Sequence, residues 1–437
     1  RKKTVKNNVI YCGDCLQVLK TLPDNSIDSI VTDPPYGLEF MGEDWDKFKN
    51  GKNIAGGTIK DKSKLYGRLC GKAPAFFQLS QKEKISYQQF CFAWASECLR
   101  VLKPGGFLLS FGGTRTYHRL ACAIEDAGFE VRDMIEWVYG SGFPKSTHIG
   151  KMLDKRMGNK RRVVSIRTAH DIRGGALMEA TIPELKKENS TMAYEDTKGD
   201  SEWEGWGTGL KPAHEPICLA RKPLSERSVV DNALKWRTGG LNIEACRIET
   251  SEKLQTGRNT TKHKSLFQSS KSCGGQKVFQ NRGRWPANLI HDGSQEVLSL
   301  FPYTCSGEGH FNKDDYKQGT GVTGFTRGDY NGYGDEGSAA RFFYCAKANS
   351  EERSAGLSGE KNTHPTVKPV ALVRYLVRLV TPKGGIVLDP FIGSGTTGIA
   401  ALLEGMSYVG IEQSPEYVEM AKKRLQAFNR SLLKEEK

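Results

Sequence analysis

Residues 389–398 read DPFIGSGTTG, and this short stretch decides the fold. Its glycines Gly393, Gly395 and Gly398 match the pattern G-x-G-x-x-G between an apolar run and a helical one. Such a turn between a strand and a helix lets the backbone come close to a nucleotide-like ligand. An acidic residue about 20 positions further on accepts hydrogen bonds from a ribose, and Glu412 stands 19 positions after Gly393. The spacing predicts a nucleotide-like cofactor, with a plain tight turn as the alternative.

The place of this turn in the sequence separates the candidate cofactors. A dinucleotide domain needs further strand–helix units after its first acidic strand. The residues after Glu412 are enough for one helix, capped by Ser414 with Pro415 in its first turn. We therefore expect strands from the N-terminal part to complete the sheet. This position argues against NAD. No Gly-Lys-Ser/Thr follows the glycines, which argues against a phosphate-binding P-loop. S-adenosylmethionine has no phosphate and needs no such lysine.

Composition limits the remaining possibilities. The length of 437 residues suggests two or three domains. Hydrophobic residues make up 38% of the chain, which is ample for a buried core. A formal net charge of +14 favours a polyanionic partner such as nucleic acid. Charged residues interrupt every long apolar run, so we expect no membrane span and no membrane partner.

The cysteines indicate the redox environment. Eleven of them are scattered along the chain, which favours reduced thiols and a cytoplasmic location. Cys12 and Cys15 form the one C-x-x-C pair, and no second pair completes a zinc site. We therefore expect no metal, and we interpret these two cysteines as small buried residues.

Hydrophobic periodicity divides the chain into three segments. Residues 1–140 and 356–437 alternate between strand and helix patterns, with strands expected at 9–11, 27–32, 107–111, 131–139, 386–388 and 408–411. Residues 42–72 show no periodicity and are expected to form a loop. Residues 141–355 are rich in glycine, serine, threonine and isolated basic residues, and we interpret them as an inserted recognition region that reaches the sheet near 215–222. The predicted fold class is α/β.

A second motif, Asp33-Pro34-Pro35-Tyr36, follows the strand expected at 27–32. Ligands of open α/β sheets bind at the carboxyl ends of strands. The two proline rings fix the backbone, so the carboxylate of Asp33 and the carbonyl of Pro34 point in set directions. Two such acceptors suit an exocyclic NH2 group, and Tyr36 offers a flat face to a base. The alternative is a proline turn without a ligand.

These motifs resemble those of the amino-group DNA methyltransferases, which act on adenine N6 or cytosine N4, in the permuted "beta" order. There the catalytic motif comes first, a target-recognition region follows and the cofactor motif comes last. The resemblance covers about residues 9–140 and 360–430. It rests on GDCL (13–16), DPPY (33–36), HPTVKP (364–369), DPFIGSGT (389–396) and VGIE (409–412).

The resemblance implies a Rossmann-like methyltransferase sheet, circularly permuted, with S-adenosylmethionine as cofactor. It implies Glu412 at the ribose and Asp14 at the adenine amino group of the cofactor. It places Thr366 and Lys368 near the cofactor's carboxylate. The residues implied along the methionine side are Asp389, Phe391, Gly393, Gly395 and Thr396. Asp33, Pro34, Pro35 and Tyr36 would be catalytic, and Asp at the first position of that motif favours adenine over cytosine.

The resemblance also implies partners and a setting. The substrate would be double-stranded DNA in a prokaryotic or phage-encoded system, near the nucleoid, with a homodimer and a cognate restriction enzyme as further possibilities. The same residues leave N4-cytosine, an RNA substrate and a non-catalytic nucleic-acid-binding subunit open as alternatives.

The chemistry can be argued from the residues themselves. An aryl amine is a poor nucleophile because its lone pair is delocalised into the ring, and hydrogen bonds to Asp33 and Pro34 would increase its electron density. No covalent intermediate is needed, and the Pro-Cys pair typical of cytosine C5 methylation is absent from the sequence. The target base must be flipped out of the duplex. His364 could act as a general base, but we favour a structural role beside the cofactor.

A basic stretch at residues 255–291 lies in the predicted recognition region. It contains no Asp or Glu. Arginine can bridge O6 and N7 of guanine, so Arg282 and Arg284 are candidates for base reading. The lysines are candidates for phosphate contacts, and they are Lys262, Lys264, Lys271 and Lys277. A solvated basic loop is the alternative.

Overall fold

The computed structural model describes most of the chain. The described residues are 5–37, 48–49, 52–53, 81–142, 146–168, 193–250, 283–305, 310–311, 330–331, 336–346, 350–357, 362–364 and 366–435. They fall into two compact units. The first unit holds the described residues up to Val138 and from His214 onward, and the second holds the described residues between them.

The strands of the described residues range in length from two to ten residues. In chain order they are β1 Val9–Cys12, β2 Ile27–Thr32, β3 Phe48–Lys49, β4 Lys52–Asn53, β5 Leu102–Phe111, β6 Glu130–Val138, β7 Arg162–Thr168, β8 Ala193–Lys198, β9 His214–Arg221, β10 Leu289–His291, β11 Tyr303–Cys305, β12 His310–Phe311, β13 Tyr330–Asn331, β14 Glu336–Ser338, β15 Tyr344–Cys345, β16 Ile386–Asp389 and β17 Ser407–Glu412.

The helices alternate with the strands of the sheet at both ends of the chain. They are α1 Cys15–Leu19, α2 Gln81–Val101, α3 Tyr117–Asp126, α4 Ile149–Met157, α5 Val229–Trp236, α6 Gln295–Leu298, α7 Ser350–Ser354, α8 Val370–Val380, α9 Thr396–Leu403 and α10 Pro415–Glu435, with 3₁₀ turns at Glu244–Cys246 and Ala339–Phe342. The last helix begins as the sequence predicts, because the hydroxyl of Ser414 accepts a hydrogen bond from the backbone N–H of Tyr417.

The first unit is built on a nine-stranded sheet in the order β1-β17-β16-β2-β5-β9-β6-β10-β15. All neighbouring strands are parallel except β9, which runs antiparallel to both β5 and β6. The strands of the N-terminal and C-terminal parts therefore share one sheet, as the sequence predicts. β16 and β2 pair directly, with Leu388 opposite Ile30.

The connections after these two central strands diverge. From β2 the chain reaches β5 on one side, whereas from β16 it passes through α9 to β17 on the other side. Neighbouring strands whose connections leave in opposite directions create a crevice at their carboxyl ends, where ligands of open α/β sheets bind. The loop at 33–36 follows β2 and the glycine turn follows β16, so both motifs lie at this crevice.

Helix α2 packs its apolar face against the sheet. Phe90, Trp94 and Cys98 are buried there at helical spacing. The ring of Phe391, in the loop after β16, lies 6.0 Å from that of Phe90 and 5.7 Å from that of Trp94. Hydrophobic packing thus fixes the glycine turn against the core. Cys15 is also buried, which raises the pKa of its thiol, whereas Cys12 is exposed.

Two sequence expectations differ in detail from the structure. The strand expected at 107–111 already begins at Leu102, so β5 also includes residues 103–106. Pairing with β2 shifts register between Ile27 and Ser29, and Gly105 has a φ of +78°, so the Pro-Gly-Gly segment forms an irregularity within the strand. The loop expected at 42–72 lies outside the described residues except for the short pair β3–β4.

The middle of the chain contributes to both units. β9, β10 and β15 add to the central sheet, although only residues near 215–222 were expected to do so. In the second unit α4 is followed by the antiparallel pair β7–β8, and Arg161 donates to the carboxylates of Asp154 and Glu204. The three predicted segment boundaries stay predictions.

Within the described ranges, no helix is long and apolar enough to cross a bilayer.

Candidate active site

The loop after β2 carries a cluster of charged side chains. Asp33 accepts a hydrogen bond from the hydroxyl of Tyr36 at 2.7 Å, through Oδ1. Its other oxygen, Oδ2, accepts one from the ammonium of Lys368 at 2.5 Å. Glu215, from β9, lies 3.0 Å from the same Tyr36 hydroxyl and 3.2 Å from Lys368. The motif at 33–36 is therefore tied to two distant parts of the chain.

Lys368 lies deep in this cluster, with only 9% of its side chain exposed. Its ammonium has three protons, and three acceptors surround it, namely Asp33, Glu215 and the hydroxyl oxygen of Tyr36 at 3.3 Å. Burial by itself would lower the pKa of Lys368, but the two carboxylates raise it above its ordinary value. Lys368 therefore stays charged.

This placement differs from the role that the resemblance implies for Lys368. We expected its ammonium near the cofactor's carboxylate. In the structure it is paired with the carboxylates of Asp33 and Glu215, because the segment before α8 crosses the carboxyl edge of β2. A contact between Lys368 and the cofactor's carboxylate stays a prediction.

The hydroxyl of Tyr36 stays protonated in this environment. Burial raises its pKa well above the ordinary value, and the charges of Asp33 and Glu215 raise it further. Pro34 and Pro35 are buried beside it. The carbonyl of Tyr36 accepts a hydrogen bond from the hydroxyl of Thr116 at 2.7 Å, which anchors the loop to the start of α3.

The glycine turn after β16 adopts the backbone conformation that its sequence requires. Gly393 and Gly395 have φ values of +51° and +90°, where glycine is favoured. A Cβ at Gly393 would lie 2.7 Å from Nε2 of His364, so a larger residue would displace the imidazole. At Gly395 a Cβ would lie 3.1 Å from that of Ala421, so both glycines also allow close packing of the turn against its neighbours.

Glu412 lies at the end of β17 beside this turn. Its carboxylate accepts hydrogen bonds from the backbone N–H groups of Gly393 at 3.1 Å and Ser414 at 2.8 Å. The backbone N–H of Gln413 also acts on this carboxylate. A carboxylate offers about four lone-pair sites, so one remains for a ligand hydroxyl. Burial raises the pKa of Glu412, and the backbone donors lower it. The residues present therefore fit a ribose-bearing cofactor.

Asp14 lies close to Glu412 through the backbone. The N–H of Gly13 donates to the carbonyl of Glu412 at 2.9 Å, which joins the ends of β1 and β17. The Asp14 side chain caps α1 by accepting from the N–H of Gln17 at 3.1 Å. Its exposed carboxylate keeps lone pairs for a ligand amino group.

Asp389 has a different environment from the one the resemblance implies. It is 3% exposed, and its oxygens accept hydrogen bonds from the hydroxyls of Thr32 and Thr397, each at 2.6 Å, and from the N–H of Phe391. Burial raises its pKa to about 6, although these donors lower it. Asp389 thus shapes the glycine turn and ties it to β2, and its place along the methionine side of the cofactor stays a prediction.

Arg424 was not singled out in the sequence, yet it supports the same turn. Its side chain is fully buried in α10, and it donates to the carbonyl of Ser394 at 2.6 Å and to the hydroxyl of Thr396 at 3.4 Å. Burial lowers the pKa of its guanidinium to about 10. No local pattern marks this arginine, because it lies on a helix rich in basic residues.

His364 lies between the glycine turn and α10. Its Nδ1 accepts a hydrogen bond from the N–H of Thr366 at 3.4 Å, and its ring meets that of Tyr417 edge-on at 4.6 Å. Burial lowers its pKa to about 4. The imidazole is neutral at neutral pH and packed among structural groups, which agrees with a structural role rather than that of a general base.

Replacing His364 with glutamine is expected to flatten the pH dependence of stability. The unfolded chain protonates His364 near pH 6.5, whereas the folded chain does so only near pH 4. Wild-type stability should therefore fall as the pH drops through this window, by on the order of 2 kcal/mol more than in the variant, allowing for partial exposure. Asp389 acts in the opposite direction but is common to both proteins. Urea unfolding at several pH values measures the difference, and equal pH slopes would contradict it.

The predicted DNA-binding residues fall mostly outside the described residues. Lys262, Lys264, Lys271, Lys277 and Arg282 lie there, so their placement stays a prediction. Arg284 is described, and its backbone pairs with that of Ile248. Its guanidinium lies 4.7 Å from the ring of Phe342, against which Arg341 also packs at 4.3 Å. The structure brings Arg284 into a cation–π stack near the exposed ring of Trp285.

The described residues contain no group of three or more His, Cys, Asp or Glu side chains that could hold a metal ion.

Comparison with known proteins identifies the family. The model of the N6/N4 methyltransferases, described as DNA methylase, matches residues 27–423. The type II methyltransferase M.HindIII of Haemophilus influenzae is 24% identical over 421 residues, covering 95% of this chain and 94% of that protein. The type II methyltransferase M2.DpnII of Streptococcus pneumoniae is 46% identical over 66 residues, which are 15% of this chain and 25% of that protein.

Solved structures show low overall similarity across nearly the whole chain. The cytosine-N4-specific PvuII DNA methyltransferase has a TM-score of 0.43 and 15% identity, covering 98% of this chain and 94% of that one. The complex of M1.HpyAVI with SAM has a TM-score of 0.37 and 17% identity, covering 95% and 98%. Because the family model matches far more than half of the chain, the protein belongs to the N6/N4 DNA methylase family and uses S-adenosylmethionine as its methyl donor.

Proposed function

We propose that the protein methylates N6 of adenine in double-stranded DNA. The observation that supports this most is the pairing of β2 with β16, which sets the carboxylate of Asp33 and the glycine turn on one crevice. The first residue of the motif at 33–36 is Asp, which favours adenine over cytosine in the permuted members that this sequence resembles. The alternative within the family is cytosine N4.

We propose cofactor contacts for the residues around the glycine turn. Glu412 has a free lone pair for the ribose, and Asp14 stands beside it for the adenine amino group of the cofactor. Gly393 and Gly395 are proposed to follow the methionine side with their backbone, and the ring of Phe391, proposed to lie on the same side, packs against Trp94 of α2. Thr366 and Thr396 flank that side, near His364 and Arg424.

The bound cofactor supplies an electrophilic methyl group on a positively charged sulfur. Tyr36 and Lys368 each use one lone pair of the Asp33 carboxylate, and another lone pair accepts a hydrogen bond from an N–H of the target amine. This hydrogen bond orients the amine so that the lone pair of its nitrogen faces the methyl group. The amine nitrogen would form a new N–C bond to that methyl group as the C–S bond breaks, and the electron pair of the C–S bond would stay on sulfur. The proton then leaves the nitrogen through Asp33 to solvent.

The target base has to leave the duplex to reach Asp33, at a cost of a few kcal/mol. The ring of Tyr36 is held by hydrogen bonds at its hydroxyl end and is half-buried, so it provides a fixed surface beside the flipped base. The net charge of +14 favours duplex DNA as the partner.

We propose that the chain order reflects circular permutation, since the motif at 33–36 precedes the cofactor turn at 389–396. The middle of the chain, residues 141–355, would carry target recognition. The basic stretch that holds Lys262, Lys264, Lys271 and Lys277 is the proposed phosphate-binding part, together with Arg282 and Arg284. A homodimer, a cognate restriction enzyme and a cytoplasmic location stay predictions from the sequence.

The methylated nucleoside that forms distinguishes adenine N6 from cytosine N4 as the target. Plasmid DNA incubated with purified protein and cofactor is digested to nucleosides and analysed by mass spectrometry. We expect N6-methyladenine, because an aspartate rather than a serine begins the motif at 33–36. N4-methylcytosine as the main product would contradict the adenine assignment and establish the alternative. The control is DNA incubated without cofactor.

A further inference from the structure

Glu215 joins the catalytic motif from a distant part of the chain. It lies on β9, which runs antiparallel to its neighbours β5 and β6. Its Oε2 contacts both the hydroxyl of Tyr36, at 3.0 Å, and the ammonium of Lys368, at 3.2 Å. Its side chain is 20% exposed. It is therefore built into the site rather than lying on the surface.

The charges of this cluster leave one unit of negative charge. Asp33 and Glu215 contribute two carboxylates and Lys368 one ammonium, whereas Tyr36 stays protonated because burial raises its pKa. The neighbouring His364 is neutral, because burial lowers its pKa. Without Glu215, the ammonium at 2.5 Å would neutralise Asp33 in a simple ion pair.

Methyl transfer moves a positive charge to the target nitrogen. Groups that are already aligned with the developing charge stabilise the transition state most effectively. A carboxylate whose charge is cancelled by an adjacent ammonium is a weak partner for that nitrogen. A second carboxylate on the ammonium restores the negative charge that the reaction needs.

We propose that Glu215 is a positioning residue for methyl transfer: it binds Lys368 and Tyr36 and offsets the charge of Lys368, so that Asp33 can serve the target amine. Lys368 in turn holds the Asp33 carboxylate in one orientation. This inference rests on the proposed methyl transfer at Asp33, and it adds a residue from β9 to that site.

The first test replaces Glu215 with glutamine, which keeps the shape and a hydrogen-bonding group but removes the charge. Single-turnover methyl transfer at saturating DNA and cofactor should slow by about 10- to 100-fold, as for loss of a hydrogen bond to a charged group. Calorimetric affinity for S-adenosylmethionine should change by no more than about 3-fold, because Glu215 contacts the target side of the crevice.

The second test removes both charges with Glu215→Gln and Lys368→Met together. Asp33 then regains its uncompensated charge, so the double variant should react at least about 5-fold faster than Glu215→Gln alone, as coupled sites are not additive. A purely structural role for Glu215 would make the double variant as slow as, or slower than, the single one.

A matched control comes from an exposed pair on α10. Lys422 contacts Glu419 at 2.7 Å, and their side chains are 49% and 66% exposed. Glu419→Gln, alone and with Lys422→Met, should leave turnover unchanged. Thermal unfolding of every variant is measured in parallel, and a midpoint for Glu215→Gln far below wild type would overturn the inference by showing that Glu215 acts on folding.

The outcomes distinguish failure of the proposed methyltransferase function from failure of the proposed role of Glu215. A wild-type protein that methylates no base would overturn the proposed function itself. If the wild type is active but Glu215→Gln stays within about 2-fold of it, Glu215 has no positioning role. If the single variant is slow and the double variant is no faster, the charge-balancing role is wrong.

Discussion

Replacing Asp33 with alanine should abolish methyl transfer while leaving affinity for S-adenosylmethionine within a few-fold of wild type. The Asp33 carboxylate is the acceptor proposed for the target amine, and it also fixes Tyr36 and Lys368. Its removal takes away all of these contacts at once. The cofactor side keeps its own residues, since Glu412 is hydrogen-bonded to the N–H of Gly393 in the glycine turn.

Single-turnover kinetics and calorimetry on the same preparation measure the two quantities. Asp126→Ala, at the exposed end of α3, is the control for a lost aspartate elsewhere. An Asp33→Ala protein that kept more than about a tenth of wild-type turnover would contradict the catalytic assignment, since a tenth corresponds to only about 1.4 kcal/mol of barrier.

Replacing Glu412 with alanine should act mainly on cofactor binding. The variant loses the hydrogen bond proposed between the carboxylate and the ribose, and it also leaves the N–H groups of Gly393 and Ser414 without their acceptor. Loss of hydrogen bonds to a charged group costs about 1.5–3 kcal/mol, which corresponds to a 10- to 150-fold weaker affinity.

Calorimetric titration with S-adenosylmethionine checks this directly. Glu416→Ala is the matched control, because Glu416 is exposed in the first turn of α10. At saturating cofactor the Glu412→Ala protein should recover much of its turnover, in contrast to Asp33→Ala. An unchanged affinity would remove Glu412 from the cofactor site.

Local signals in the sequence predicted the framework of the crevice. The run before Asp33 contains the β-branched apolar residues Ile27, Ile30 and Val31 and forms β2 with the predicted bounds, Ile27–Thr32. The glycine turn could be predicted because its left-handed residues, Gly393 and Gly395, must be glycine. The proline at 415 and the cap at Ser414 likewise set the start of α10.

Contacts between residues far apart in the chain could not be predicted in the same way. Tyr36 meets Glu215 across 179 positions, and Asp33 meets Lys368 across 335. These pairs depend on β9 entering the sheet between β5 and β6 and on the segment before α8 crossing its edge. A glutamate beside a proline in a strand carries no periodic signal that would indicate such a partner.

The assignment of Asp389 illustrates the same limit. Its place at the end of β16 was predicted, but the use of its carboxylate depends on Thr32 from the neighbouring strand and Thr397 from the next helix. Three donors around a buried carboxylate satisfy it internally. The sequence shows the residue and its strand, and the partners follow only from the pairing of β2 with β16.

A crystal structure of the protein with S-adenosylmethionine tests the central claim most directly, namely that the two loops at the ends of β2 and β16 form one methyl-transfer site. We expect a ribose hydroxyl on Glu412, the methionine part along Gly393 and Gly395, and the methyl group facing the crevice that Asp33 lines. A cofactor bound away from the glycine turn, or with its methyl group directed away from Asp33, would contradict the account.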